Sequence, residues 1–187
     1  MATGTRGWVR HCWRCGIALA RTPPTTCAAC GQEHYLNPAP CGEAVVVRAG
    51  KVLLLRRAME PCLGWWDVPG GFCDGDEHPM HAAERELYEE VGLHARATAY
   101  IGQWMDVYGD PAPDGVHQHC ITSAYLMELA EPDAEPHPDE QEVSGYGWFD
   151  FSELPEQLAF AAHARPMLAA AAAVLAGTAP PLPDRTW

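Results

Sequence analysis

The stretch Gly71-Phe-Cys-Asp-Gly-Asp-Glu77-His-Pro-Met-His-Ala-Ala-Glu-Arg85-Glu86-Leu-Tyr-Glu89-Glu90-Val-Gly92-Leu93 decides how this chain is read. Pro79 favours a helix start, because proline at the first helical position lacks an N–H that would go unpaired anyway, and Gly92 favours an end. At about 100° per residue, Met80, Ala83, Leu87 and Val91 fall in one apolar stripe, which is the face turned to a core. Glu86, Glu89 and Glu90 spread over a neighbouring face of about 100°. Glu86 and Glu90 are like charges one turn apart, an arrangement that costs a few tenths of a kcal/mol on an isolated helix. Arg85 can reach Glu89, but nothing nearby on the helix neutralises Glu86 and Glu90. Carboxylates stacked beside a core face imply a missing cation. Hard oxygen ligands with room left for phosphate point to Mg²⁺ or Mn²⁺. A merely solvated acidic face is the competing explanation on charge pattern alone.

Around this segment, residues 44–48 and 51–57 read as a hairpin about Ala49-Gly50, and residues 65–68 as a short strand stopped by Pro69-Gly70-Gly71. Residues 95–107 and 118–129 read as two long strands, 130–139 as a proline-rich acidic loop, and 143–149 as a last strand. Residues 152–157 read as a short helical turn, 163–175 as an Ala-rich helix, and the end from Pro180 as loose. Strands and helices mix irregularly, which favours α+β over an alternating barrel.

The whole chain has 187 residues, enough for one domain and an appendage at roughly 150 residues per domain. It is 48% hydrophobic, so it can build a core. Twelve Lys and Arg against 25 Asp and Glu give a net charge of −13, and Lys51 is the one lysine. Such a chain is not expected to hold a phosphate backbone through its overall field, so nucleic acid is not an expected partner. The longest nearly apolar run, residues 166–177, is short of the roughly 18–20 needed to span a membrane. Residues 1–15 hold no apolar stretch of the signal-peptide kind, so a cytoplasmic protein with reduced thiols is expected.

Eight cysteines then divide into two groups. Cys12-Trp-Arg-Cys15 and Cys27-Ala-Ala-Cys30 are each followed by glycine, Gly16 and Gly31. Two residues between thiolates let one tight turn present both sulfurs to one ion, and a glycine with φ > 0 lets the chain turn away. Four such sulfurs suit tetrahedral Zn²⁺ with no open position, hence a structural metal. Residues 10–36 resemble a zinc ribbon. Cys41, Cys62, Cys73 and Cys120 lack metal spacing and read as buried small hydrophobes.

The helix segment matches, at every specified position, the box of Nudix hydrolases: Gly71, five residues, Glu77, seven residues, Arg85-Glu86, an aliphatic, any residue, Glu89-Glu90, any residue, Gly92 and an aliphatic. Trp66-x-x-Pro69-Gly70-Gly71 leading in, and Trp148-Phe149 with Glu153-Leu154-Pro155 after it, add to the resemblance. It implies an α+β fold, a Nudix α/β/α sandwich with a mixed sheet over residues 41–176, preceded by the ribbon. It also implies that Glu86, Glu89 and Glu90 bind Mg²⁺ or Mn²⁺ with the carbonyl of Gly71. By the same resemblance Arg85 holds the glutamates, Glu77 supports loop and helix, and Glu86 or Glu89 is the general base, ahead of Glu142 or Glu140. The reaction implied is Mg²⁺-dependent hydrolysis of the pyrophosphate bond in a nucleoside diphosphate linked to another moiety, and a homodimer is implied by resemblance alone.

A ribbon before a Nudix domain resembles the NADH pyrophosphatase and ADP-ribose pyrophosphatase group. Where the NADH group carries a Ser-Gln-Pro-Trp type signature, this chain reads Gly102-Gln103-Trp104-Met105-Asp106, without the Ser and Pro. Trp104, Phe160 and Arg57 are the expected substrate contacts, with Tyr108, Pro111, His117 and His119 as further candidates. Trp66 and Trp148 read as packing residues. Two other functions stay open: sanitation of modified nucleoside triphosphates, and a non-catalytic module that senses a nucleotide while the ribbon, basic at Arg6, Arg10, Arg14 and Arg21, holds a partner.

Overall fold

The computed structural model describes residues 10–21, 23–109 and 118–178. Arg6, Pro111, His117 and the end from Pro180 lie outside them. The expected ribbon is two short strands, β1 (Thr25–Thr26) and β2 (Glu33–His34), paired antiparallel. The rest is built on β3 (Ala39–Arg48), β4 (Lys51–Arg57), β5 (Trp66–Asp67), β6 (Gly70–Phe72), helix α1 (Pro79–Val91), β7 (Ala95–Tyr108), β8 (Gln118–Leu129), β9 (Val143–Asp150) and helix α2 (Ala161–Leu175).

The seven strands from β3 onward form one mixed sheet in the order β5-β4-β3-β8-β7, with β6 also on β3 and β9 on β4. Only β3 and β8 among these pairs run parallel. The β3–β4 hairpin turns at Ala49-Gly50, both with positive φ. Successive residues of a strand point to opposite faces, and the core divides accordingly. Val46, Leu53 and Leu55 pack with Ala83, Leu87 and Val91 of α1. Val45, Val52 and Leu54 pack on the other face with Ala164, Met167, Leu168 and Ala171 of α2. This is the expected α/β/α sandwich.

Helix α1 has the boundaries its sequence signals. Pro79 begins it, His78 Nδ1 accepts the Met80 N–H at 3.1 Å, and Gly92 closes it at φ 68 with its N–H on the Tyr88 carbonyl at 2.7 Å. A side chain at Gly42 could not exist here: a Cβ would lie 1.9 Å from the Pro79 carbonyl oxygen, so Gly42 lets β3 pass close under the helix start.

Two expectations change. Residues 152–157 form no helical turn. The chain there runs to a parallel bridge between Leu158 and Trp66, with the Trp66 N–H on Gln157 and the Ala159 N–H on Trp66. Leu158 is fully buried in the α2-side core, and Pro155 has no N–H to give a helix. Helix α2 begins two residues earlier than expected, after Phe160 at φ 48, and keeps Pro166 in its interior. No helix among the described residues is long and apolar enough to cross a membrane.

Candidate functional sites: a carboxylate-lined cavity and a four-cysteine cluster

The four ribbon cysteines come together. The ligand atoms of Cys12, Cys15, Cys27 and Cys30 lie within 4.8 Å of one another, with Cys12–Cys30 and Cys15–Cys27 sulfurs at 3.6 and 3.7 Å. Zn–S bonds of about 2.3 Å place tetrahedral sulfurs about 3.8 Å apart, so the cluster fits zinc. Two like turns build it. The Gly16 N–H returns to the Cys12 carbonyl at 2.8 Å and the Gly31 N–H to the Cys27 carbonyl at 2.9 Å, and the two glycines have φ 75 and 74. Backbone N–H groups of Ala29 and Cys30 hold the Cys27 thiol down to about 7. Four thiolates this close need a cation between them.

The second site is a cavity of ≈ 310 Å³ reached by residues from both helices and most of the strands. Carboxylates of Glu86, Glu90 and Glu142 lie along it. The peptide of Gly71 runs directly against Glu86: a Cβ there would sit 2.5 Å from the Glu86 carboxyl carbon. Glu90 Oε2 accepts the Gly70 N–H at 3.0 Å. Burial and then the neighbouring Asp67 charge push the Glu90 carboxyl well above its ordinary range. Burial also raises Glu86, against the opposing bond from Arg85. Carboxylates raised in this way are short of positive charge, and their hard oxygens fit a divalent cation.

Arg85 has a different setting from the one its sequence position suggests. Its Nη1 donates to both Glu86 and Glu89 at 2.8 Å, so Glu86 does have a partner on the helix. Adjacent residues on a helix do not normally face each other, but the long arginine folds back over its own turn. Its Nε and Nη2 grip Glu77 at 3.0 and 2.8 Å, and Nη2 also holds the Phe72 carbonyl at 3.0 Å. Glu77 Oε2 in turn accepts the Asp74 N–H. Arg85 thus ties the loop after β6 to the helix. Glu89 is exposed and does not line the cavity.

Of the expected substrate contacts, Arg57 and Phe160 line the cavity and Trp104 does not. Trp104 packs on the α2-side core. Phe160 stacks with Tyr108 at 5.6 Å and 19°, Phe72 meets Tyr108 edge-on at 5.0 Å, and the Arg57 guanidinium lies 5.3 Å over Phe160. Arg57 also pairs with Asp67 at 2.9 Å. Burial, then the charge of Glu43, raises Asp67 to about 7 despite that arginine. Trp66 stacks edge-on with Phe149, as a packing residue does.

Sequence reasoning missed Glu43, Asp106 and His163, which line the same cavity. Glu43 is a charged residue inside a run of buried strand positions, and His163 is a titratable residue on the buried face of an Ala-rich helix. Those two were visible as polar residues in the wrong company, whereas Asp106 lies on a half-buried stretch of β7 that gives no such signal.

The NUDIX domain family model matches residues 42–171, which contain this cavity. The chain belongs to the Nudix family of pyrophosphohydrolases. Among relatives of this Nudix chain, an ADP-ribose pyrophosphatase from Methanocaldococcus jannaschii is 30% identical over 126 residues, 67% of this chain and 69% of that protein. The NAD-capped RNA hydrolase NudC from Chromobacterium violaceum is 30% identical over 151 residues, 78% of this chain and 52% of that protein. The chain therefore spans about half the length of that relative. The crystal structure of a MutT NUDIX hydrolase from Burkholderia pseudomallei has a TM-score of 0.59 and 29% identity, covering 72% of this chain and 98% of that one.

Proposed function

We propose that this Nudix chain hydrolyses, with Mg²⁺, the pyrophosphate bond of a nucleoside diphosphate linked to a second moiety, with ADP-ribose the first choice and NADH the second. The observation that carries the reading is that one cavity holds two chemistries: the carboxylates of Glu86, Glu90 and Glu142, and the Phe160–Tyr108 stack with the Arg57 guanidinium over Phe160. A diphosphate joined to an aromatic base has the same two chemistries. A relative matched over 69% of its length is named an ADP-ribose pyrophosphatase, which supports the first choice. The net charge of −13 and the single lysine favour a small nucleotide over a capped RNA.

Glu86, Glu90 and the Gly71 carbonyl would hold the cation. When bound, it would neutralise phosphate oxygens and make a water acidic enough to attack phosphorus. Arg85 keeps Glu86 aimed by holding it from behind. Glu89 extends this support from the exposed side. Glu142 lines the cavity within electrostatic reach of Glu86 and Glu90, and its carboxylate would take the proton of an attacking water. Phe160 and Tyr108 offer ring faces to the base, and Arg57 offers charge beside them.

Turnover of ADP-ribose, NADH, NAD⁺ and nucleoside triphosphates, measured with Mg²⁺ and with Mn²⁺, tests this. Glu90→Gln should lower turnover of the best substrate about a thousandfold with little loss of stability, since the lost group acts on the reaction rather than on the core. Undiminished Mg²⁺-dependent turnover in that variant would remove Glu90 from the site.

A further inference from the structure

One buried histidine has a carboxylate against each of its ring nitrogens. His163, in the first turn of α2, is 4% exposed. Its Nδ1 lies 2.6 Å from Asp106 Oδ2 on β7, and its Nε2 lies 2.8 Å from Glu43 Oε1 on β3. A neutral imidazole has one N–H and can serve one carboxylate; two ionised carboxylates at the two nitrogens require the doubly protonated ring. Burial alone would drive the proton off. The Glu43 and Asp106 bonds and charges outweigh it and raise the ring to about 9. Asp67 on β5 and Cys120 on β8 also face this charge, and Arg57 on β4 approaches it across Phe160.

The ring sits where it can organise the aromatic side of the cavity. Phe160 lies three residues before His163, with φ 48 and no side-chain cap on the helix it precedes. The Phe160 ring stacks with that of His163 at 6.1 Å and 19°, and with Tyr108 at 5.6 Å and 19°. Tyr108 is two residues past Asp106 on β7, so the two side chains leave the same face of the strand. His163 therefore holds the strand that carries Tyr108 by a hydrogen bond, and Phe160 through its own helical turn.

We infer that His163 is a positioning residue for nucleotide binding: clamped between Asp106 and Glu43, it sets Phe160 and Tyr108 together as the aromatic wall of the cavity. This rests on reading that wall as the side that takes the base. His163 acts through the two aromatics and takes no part in bond cleavage. When the ring loses its proton, one nitrogen lone pair meets a carboxylate oxygen and the clamp opens on that side.

The test is the pH dependence of KM and kcat for ADP-ribose with Mg²⁺, from about pH 6 to about pH 10, in the wild type, Asp106→Asn and His163→Gln. Wild-type KM should be flat near neutrality and rise about tenfold as pH passes about 9, with kcat changing less than about threefold. Asp106→Asn, which removes a negative neighbour, should move that rise to lower pH. His163→Gln should have a raised KM throughout and no step. A wild-type KM without the rise overturns the inference, and needs no variant to fold. So does the same rise persisting in His163→Gln, or a fall in kcat at constant KM in a variant that melts like the wild type. Calorimetric titration with AMP in the absence of metal separates this clamp from the hydrolase reading. AMP affinity that follows the step without any ADP-ribose turnover keeps the clamp and sinks the substrate assignment, while AMP affinity flat with pH sinks the clamp.

Discussion

The ribbon and the cavity both gather groups that repel one another when ionised, and they do so by opposite means. In the ribbon, two short turns built on Gly16 and Gly31 bring four sulfurs within 4.8 Å, using backbone hydrogen bonds local to each Cys pair. In the cavity, carboxylates come from α1, from β3 and β5, from β7 and from Glu142 just before β9, with Arg85 holding Glu86 and His163 holding Glu43 and Asp106. A cluster made by local turns has little else to stabilise it and needs its ion to persist. A cluster made by a sandwich core persists without its ion, because Leu53, Leu87 and their neighbours on α1 are fully buried whatever the site contains.

Metal removal breaks the comparison most directly. Structural zinc contributes about 10–16 kcal/mol of apparent binding free energy to small cysteine sites, which is folding free energy where nothing else holds the fold. Purified protein should carry one zinc per chain by elemental analysis. Chelation, or Cys12→Ser with Cys30→Ser, should abolish exchange protection in the ribbon and leave that of α1 and the central strands in place. Loss of protection throughout would show that the two regions fold as one unit. Zinc well below one per chain would remove the metal from the ribbon altogether.

The same contrast explains what could be read in the sequence. The ribbon ligands, the limits of α1 and the β3–β4 hairpin all depend on residues close together in the chain, such as the Cys-x-x-Cys pairs, Pro79 with Gly92, and Ala49-Gly50. The Glu43–His163 and Asp106–His163 bonds join residues 120 and 57 positions apart, and no local pattern marks them. Trp104 lies outside the cavity for a related reason: it shares a face of β7 with Asp106 and Tyr108, but its place along the strand puts it against the α2-side core, a tertiary fact. The register of β7 on β8 slips between Tyr100 and Gly102, so Ile101 joins that same core, which strict alternation would forbid. The absence of a helix over residues 152–157 is set by the burial of Leu158 against β4 and α2, a tertiary fact.

A smaller effect sharpens the comparison through pH. The raised His163 contributes stability that is fully present below its unfolded value of 6.5 and is lost as pH rises through its folded value of about 9. The sign follows from the proton count, because above 6.5 the folded chain holds a proton that the unfolded chain has released. The loss is at most about 3 kcal/mol. Urea midpoints measured from neutral to alkaline pH should fall over this window in the wild type and stay level in His163→Gln. A ribbon whose zinc is retained should not contribute to that fall, so spectral signals from the two regions should diverge. Coincident alkaline transitions in wild type and variant would assign the loss to another group.

The smallest expected effect marks where the cavity ends. Trp104, Asp106 and Tyr108 alternate onto one face of β7, yet only the last two line the cavity, so the boundary between site and core falls between Trp104 and Asp106. Trp104→Phe keeps an aromatic ring on the α2-side core and should cost about 1 kcal/mol of stability, read from the urea midpoint. It should leave KM and kcat for the best diphosphate substrate within about twofold, since packing loss at a half-buried ring is felt by the core rather than by the ligand. A several-fold rise in KM at unchanged stability would bring Trp104 into the substrate site and extend the aromatic wall along β7. The expected result instead leaves recognition to the side chains that His163 organises, and leaves Trp104 to hold α2, and with it Phe160, against the sheet.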